Sequence, residues 1–247
     1  GRPVAVVIVD RLWCPDVSAA KVERLLGAAR AAGARVVHAL DDNFPDLVRE
    51  RPGWASADQV AALERLLAGA DGLVVTTEPL AERYRAYHDA VVVVPNALDE
   101  RLITTGRLAR WRSRRTWRTW FGQLRRPGRI VVGYMGTFTH DDDLRMIAPA
   151  LEAVHRETGC RLRIELVGVV AGAETLRCLG DVPVEVVRVT AANALYPAFV
   201  PWFARTCRWD IALSPLRDTP FTRGKSDIKF LDYAAIGAAG IYSRHPA

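Results

Sequence analysis

The stretch DIALSPLRDTPFTRGKSDIKFLDYAAIGAAGIYS, Asp210 to Ser243, joins a buried-strand pattern, a cationic loop, a helix pattern and a second strand without a gap. A helix over Lys225 to Ile236 places Lys225, Lys229 and Asp232 at i, i+4 and i+7 on one face, with Ile228, Leu231 and Ala235 forming the apolar stripe opposite. Arg223, Gly224 and Lys225 precede that helix, and a helix start attracts anions through its free N–H groups and its dipole. One turn deeper, the Asp232 carboxylate is suited to a sugar diol. Phosphate at the helix mouth with a ribose beyond it is one reading. The other is a surface helix whose neighbouring charges are solvated and contribute a few tenths of a kcal/mol.

Outward from this stretch, strand and helix patterns alternate. Strands are predicted at Val4 to Val9, Arg35 to Leu40, Gly72 to Thr76, Ala90 to Val94, Ile130 to Tyr134, Arg163 to Val167, Val184 to Val189, Ile211 to Ser214 and Gly240 to Ser243. They are continuous Val/Ile/Leu runs, the pattern expected of strands covered on both faces. Val22, Leu25, Leu26 and Ala29 give one helical stripe, and Val60, Leu63 and Leu67 give another behind a Ser56/Gln59 capping box. The fold class is therefore α/β with parallel sheets and helices on both sides.

Gly133 and Gly136 flank the end of the Ile130 strand, and a helix is expected from Asp141 to Asp143 through Leu144, Ile147, Leu151 and Val154. Gly136 admits close approach of a diphosphate to the backbone, but a single glycine turn is not the dinucleotide fingerprint. His140 is a donor to a phosphate or sugar on one reading and a surface histidine on the other. His38, Asp41 and Asp42 end the second strand, where open parallel sheets bind ligands. Adjacent aspartates in a strand point to opposite sides, so contact with an acceptor fits them and a metal cage does not. Thr76, Thr77 and Glu78 are read as a cap with Pro79 in the first turn, and Asn96 as a structural residue.

Four stretches in order resemble GT-B glycosyltransferases of the family 4 type: Asp71 to Glu100, Ile130 to Leu144, Leu162 to Gly168 and Asp210 to Ser243. The resemblance implies two Rossmann-like domains, truncated at both ends: an acceptor-side domain over 1–105, an Arg/Trp-rich connection over 106–129 and a donor-binding domain over 130–247. It implies a glycosyltransferase moving a sugar from a nucleotide-diphosphate-sugar to a glycan or lipid-linked acceptor, with retention, no metal and no cofactor beyond that co-substrate. Gly136, Thr137, His140, Arg223, Lys225, Ser226, Lys229 and Asp232 are then the donor residues, and His38, Asp41 and Asp42 the acceptor side. Two departures stand out. Where the family places an Arg after the glycine and a Lys soon after, this chain has Thr137 and Asp142, so Arg223, Lys225 and Lys229 are expected to supply the cations. Where the family carries two Glu, Gly224 and Asp232 stand. These losses favour the alternative, a non-catalytic nucleotide-sugar-binding or degenerate module of a surface-polysaccharide assembly protein.

Charge sharpens the boundary. Arg101 to Arg129 holds ten Arg and no acid, leaving 24 basic against 28 acidic side chains in the remainder, so all the positive excess is local. With Trp111, Trp117, Trp120 and Phe121 among them, these arginines suit an anionic membrane surface or a lipid-linked phosphate, or else an exposed linker. A nucleic-acid backbone is the competing partner, and none is expected here. At 247 residues, half of them apolar, the chain can bury one large core or two small ones. Its apolar runs are too short to span a bilayer, no signal peptide is read, and four dispersed Cys indicate neither zinc nor disulfides, so a cytoplasmic protein, peripheral at the inner membrane face, is expected.

Overall fold

The computed structural model describes residues 3–103, 128–136, 141–168 and 173–244. They form two compact units: the first holds 3–96 and 218–227, the second the remainder. The segment 218–227 thus belongs with the N-terminal residues, although the sequence division placed it in the donor domain. The Arg/Trp-rich stretch 104–127 lies outside the described residues, as do Thr137 and His140. No helix among the described residues is long and apolar enough to cross a membrane.

In the first unit the elements run β1 (Val6–Asp10), α1 (Ala19–Ala31), β2 (Arg35–Leu40), α2 (Phe44–Glu50), α3 (Ala57–Gly69), β3 (Gly72–Val75), α4 (Glu78–Tyr84) and β4 (Val91–Val93). Each helix start is fixed locally. Ser18, Asn43, Ser56 and Thr77 cap their helices, and the expected capping box closes with Gln59 N–H donating to Ser56 Oγ (3.2 Å) and Ser56 N–H to Gln59 Oε1 (2.9 Å).

The strands pair in parallel in the order β1-β2-β3-β4. Right-handed crossovers that always step in one direction leave every connecting helix on the same side. The row Val9–His38–Leu73–Val91 accordingly faces the helices, and the row Asp10–Ala39–Val74–Val92 faces away. Val22, Leu26 and Ala29 of α1 pack on Val9 and Val36, while Leu63, Leu67, Leu80 and Tyr84 pack on Leu40, Leu73 and Val75. On the other face Ile8 is 69% and Val92 58% exposed, against 3% for Val9. Among the described residues this sheet is therefore covered on one face only, where the sequence predicts cover on both, because apolar content does not encode strand order.

The second unit runs β5 (Ile130–Met135), α5 (Asp141–Glu157), β6 (Leu162–Val167), α6 (Ala173–Arg177), β7 (Val184–Val187), α7 (Tyr196–Thr206), β8 (Ile211–Ser214), α8 (Ile228–Ile236) and β9 (Ala239–Tyr242). Its parallel order is β7-β6-β5-β8-β9. The chain steps one way from β5 and then returns to the other side of it, which puts helices on both faces. Val132, Tyr134, Ile164 and Leu166 pack against α5 residues Leu144, Ala148 and Leu151 on one face. Val167 and Ala212 join Phe203, Trp209, Tyr233 and Ile236 on the other. Gly133 is required there: a Cβ would lie 1.7 Å from Trp209 Cδ2, whose indole N–H donates to Glu165 Oε2 at 3.0 Å.

Candidate functional site

The second sheet changes winding direction between β5 and β8, and open parallel sheets take ligands outside the carboxyl ends of such strands. Helix α8 lies across this point. The buried Tyr233 hydroxyl donates to Leu213 C=O at the end of β8 (3.0 Å) and accepts from Met135 N–H at the end of β5 (3.3 Å). One turn earlier, Lys229 Nζ stands 5.1 Å from the centroid of the Tyr134 ring. Asp232, 4% exposed, accepts the Tyr196 hydroxyl at 3.4 Å. Burial pushes its carboxyl up to about 6, and that hydrogen bond offsets only part of the rise.

Helix α8 begins at Ile228, three residues later than the sequence predicts. Lys225 is extended, at φ −65° and ψ 141°, and ends a short 3-10 turn over Thr222–Gly224. It therefore shares no helix face with Lys229 and Asp232. The buried side of α8 is also the one carrying Asp232, Tyr233, Ala235 and Ile236, so Asp232 points inward rather than away from the apolar stripe. Gly136 follows β5 directly, but its N–H donates to Val167 C=O (3.1 Å). Three aspartates open α5. Arg217 donates from its backbone N–H to Asp143 Oδ1 and from Nη2 to Asp142 Oδ2, both at 2.9 Å, and Arg145 lies 3.6 Å from Asp142 Oδ1.

The other predicted cations sit in the first unit. Arg223 forks onto Asp218, with Nε–Oδ1 at 2.6 Å and Nη2–Oδ2 at 3.0 Å. Lys225 Nζ pairs with Asp42 Oδ1 at 2.7 Å and lies 4.4 Å over the Phe221 ring. Burial raises the Asp42 carboxyl pKa, with the Lys225 charge opposing. Ser226 Oγ accepts from Asn96 Nδ2 (2.7 Å), and Thr77 Oγ1 donates to Gly224 C=O (3.1 Å). Phe221, 5% exposed, is inserted in the core beside Leu80 and Tyr84, and this burial holds the segment in place.

A cleft of about 230 Å³ opens at the carboxyl ends of the first sheet, on the face that no described helix covers. Asp10, Arg11, Asp41, Thr76 and Asn96 line it over a floor that includes Ala39 and Val74. Arg11 Nε donates to Asp41 Oδ1 at 2.7 Å and Nη2 closes the fork on Oδ2. The Arg11 backbone lies at φ +48°, in the left-handed region that non-glycine residues seldom occupy. His38, expected on the acceptor side, is buried on the opposite, helix-covered face with Nε2 2.9 Å from Arg11 C=O. Burial depresses its pKa to about 4, so it is neutral. Thr76 and Asn96, read from the sequence as part of a cap and as a structural residue, also line this cleft. Asp10, Arg11, Tyr196, Arg217 and Tyr233 were missed, and position just beyond a strand's carboxyl end is the signal that would have found Asp10 and Arg11.

The chain matches no known family profile and no characterised protein by sequence. Solved structures do match. A trehalose-6-phosphate synthase studied with bisubstrate glycomimetics for glycosyl transfer with retention is 14% identical at TM-score 0.53, covering 95% of this chain and 56% of that one. The UDP-forming α,α-trehalose-phosphate synthase of Burkholderia xenovorans, in complex with glucose-6-phosphate, is 15% identical at TM-score 0.54, covering 98% and 58%. A point mutant of S. aureus TarM, bound to Fondaparinux, α-GlcNAc-glycerol and UDP, is 9% identical at TM-score 0.52, covering 87% and 38%. The chain shares the GT-B glycosyltransferase fold of these proteins and spans little more than half the length of the two synthases.

Proposed function

We propose that this chain carries the working parts of a family 4 type glycosyltransferase that moves a sugar from a nucleotide-diphosphate-sugar to a glycan or lipid-linked acceptor, with retention and without metal or cofactor. The observation that carries the reading is the Tyr233 bridge between the ends of β5 and β8, because it fixes Lys229 and the buried Asp232 at the winding reversal of a Rossmann-ordered sheet. Among the described residues the Tyr196 phenol is what offsets burial of the Asp232 carboxyl, and shifted carboxyls of this kind concentrate at functional sites. Asp232 then accepts the ribose hydroxyls, and the Lys229 ammonium, with Arg217 nearby in sequence after β8, offsets charge on the departing diphosphate. Catalysis on this reading is positioning and electrostatic stabilisation. UDP in the TarM complex and glucose-6-phosphate in the Burkholderia complex support the kinds of donor and acceptor.

The domain division at 105 and 130, with 218–227 packed in the first unit, a place in polysaccharide biosynthesis at the cytoplasmic membrane face, and anionic lipid contact through Arg101 to Arg129 belong to the same proposal. Calorimetry with UDP, GDP, dTDP and their sugars tests the core of it. UDP binding that falls about tenfold or more in Lys229→Ala supports the donor site, and affinity unchanged by that substitution overturns it. Sedimentation with vesicles that contain or lack anionic lipid tests the membrane contact, and equal binding to both removes it.

A non-catalytic nucleotide-sugar-binding module is the second reading. It is favoured by the pairing of Arg223 with Asp218 and of Lys225 with Asp42, and by three aspartates at the start of α5. Product formation by the full-length protein separates it from the enzyme.

A further inference from the structure

The cleft of the first unit contains one guanidinium and two carboxylates among its lining residues: Arg11, Asp10 and Asp41. Its charge is therefore net negative. Arg11 is engaged through both Nε and Nη2 by Asp41, the fork-to-fork geometry that otherwise grips a phosphate. The left-handed backbone at Arg11 carries this fork at the edge of the cleft. Asp42, next in the chain, is paired with Lys225, so the pair adds no net charge.

Building on the transferase reading, we propose that this cleft takes an uncharged, hydroxyl-bearing sugar end as acceptor and turns away a phosphorylated one. A phosphomonoester brings close to two negative charges. Asp41 already neutralises the guanidinium, so that charge meets Asp10 and Asp41 without a cation to spare, whereas sugar hydroxyls donate to the carboxylates as they stand. The glucose-6-phosphate bound by the Burkholderia synthase makes the contrast testable with compounds that differ in a single group.

Glucose, galactose and mannose are titrated against their 6-phosphates by protein-observed NMR on the whole chain, with melting curves confirming that each variant folds. At least one neutral hexose binds about tenfold or more tightly than its phosphate. Asp41→Asn, which releases the guanidinium, narrows or inverts that ratio, and Asp10→Asn weakens the neutral sugar. Equal or tighter binding of the phosphate, no binding of any hexose, or a ratio unmoved by Asp41→Asn overturns the selectivity. Loss of nucleotide binding with the sugar ranking intact defeats the transferase reading and leaves the cleft's preference standing, so the two failures are distinguishable.

Discussion

The two parallel sheets are written in the same Val/Ile/Leu alphabet, yet among the described residues one is covered on a single face and the other on both. In the second sheet Leu166 and Val167 are sequence neighbours with opposite orientations, and each is fully buried. In the first, Ile8 and Val9 stand in the same relation, and Ile8 is 69% exposed while Val9 is 3%. Composition does not separate the pairs. Strand order does: steps in one direction stack every right-handed crossover on one side, and a reversal at β5 distributes them over two. The reversal also makes a crevice, and the buried Asp232 lies beside it.

The comparison breaks most visibly at Phe221, a residue between β8 and α8 in sequence that is buried in the first core. Phe221→Ala is expected to destabilise the first unit by about 3–5 kcal/mol in urea denaturation, and loss confined to the second unit would contradict the division. Paired truncations follow. Leu166→Ala costs about 2–5 kcal/mol, and Val167→Ala and Val9→Ala each cost about 2 kcal/mol.

Acid titration sharpens the contrast further, because Asp232 in the second unit and His38 in the first are shifted with opposite consequence. Asp232 binds its proton at about 6 when folded against 3.8 ordinarily, so its contribution is full below pH 3.8 and is lost as pH rises to 6. Asp232→Asn therefore stabilises the second unit at pH 7, by about 3 kcal/mol at most, and the gain vanishes below about pH 4. His38 runs the other way. Its folded value of about 4 lies below the ordinary 6.5, so its contribution is full above 6.5 and is lost as pH falls to 4. His38→Asn should flatten that slope, worth about 3 kcal/mol at most, and melting temperatures across pH 4–8 read both effects. If Asp232 serves the ribose, its Asn variant gains stability while losing UDP affinity. The smallest expected change is Ile8→Lys, within about 0.5 kcal/mol; a loss matching that of Val9→Ala would show the outer face to be covered.

Much of the fold was legible. All nine strands lie within two residues of their predicted limits, since short Val/Ile/Leu runs bounded by turns carry their own signal. The Ser56/Gln59 box was legible because both partners lie within one turn. At the site, Lys229 and Asp232 are legible as a base and an acid on one helix, but the helical pattern extends wrongly to Lys225. The conformation of Lys225 is set by the burial of Phe221 and the pairing with Asp42, far away in the chain, which no helical periodicity records. Arg11 went unnoticed for the same reason, its meaning lying in a partner on the neighbouring strand.

Local patterns in the chain by themselves determined the α/β class, the nine strands, the Ser56/Gln59 box and the acidic residue on the last helix, because each depends on contacts within a turn or a strand. Tertiary structure alone decided which face of each strand is covered, that His38 is buried and neutral, and that Asp218 to Asp227 packs with the first unit. Those outcomes depend on strand order and on pairs distant in sequence, and hydrophobic period is blind to both.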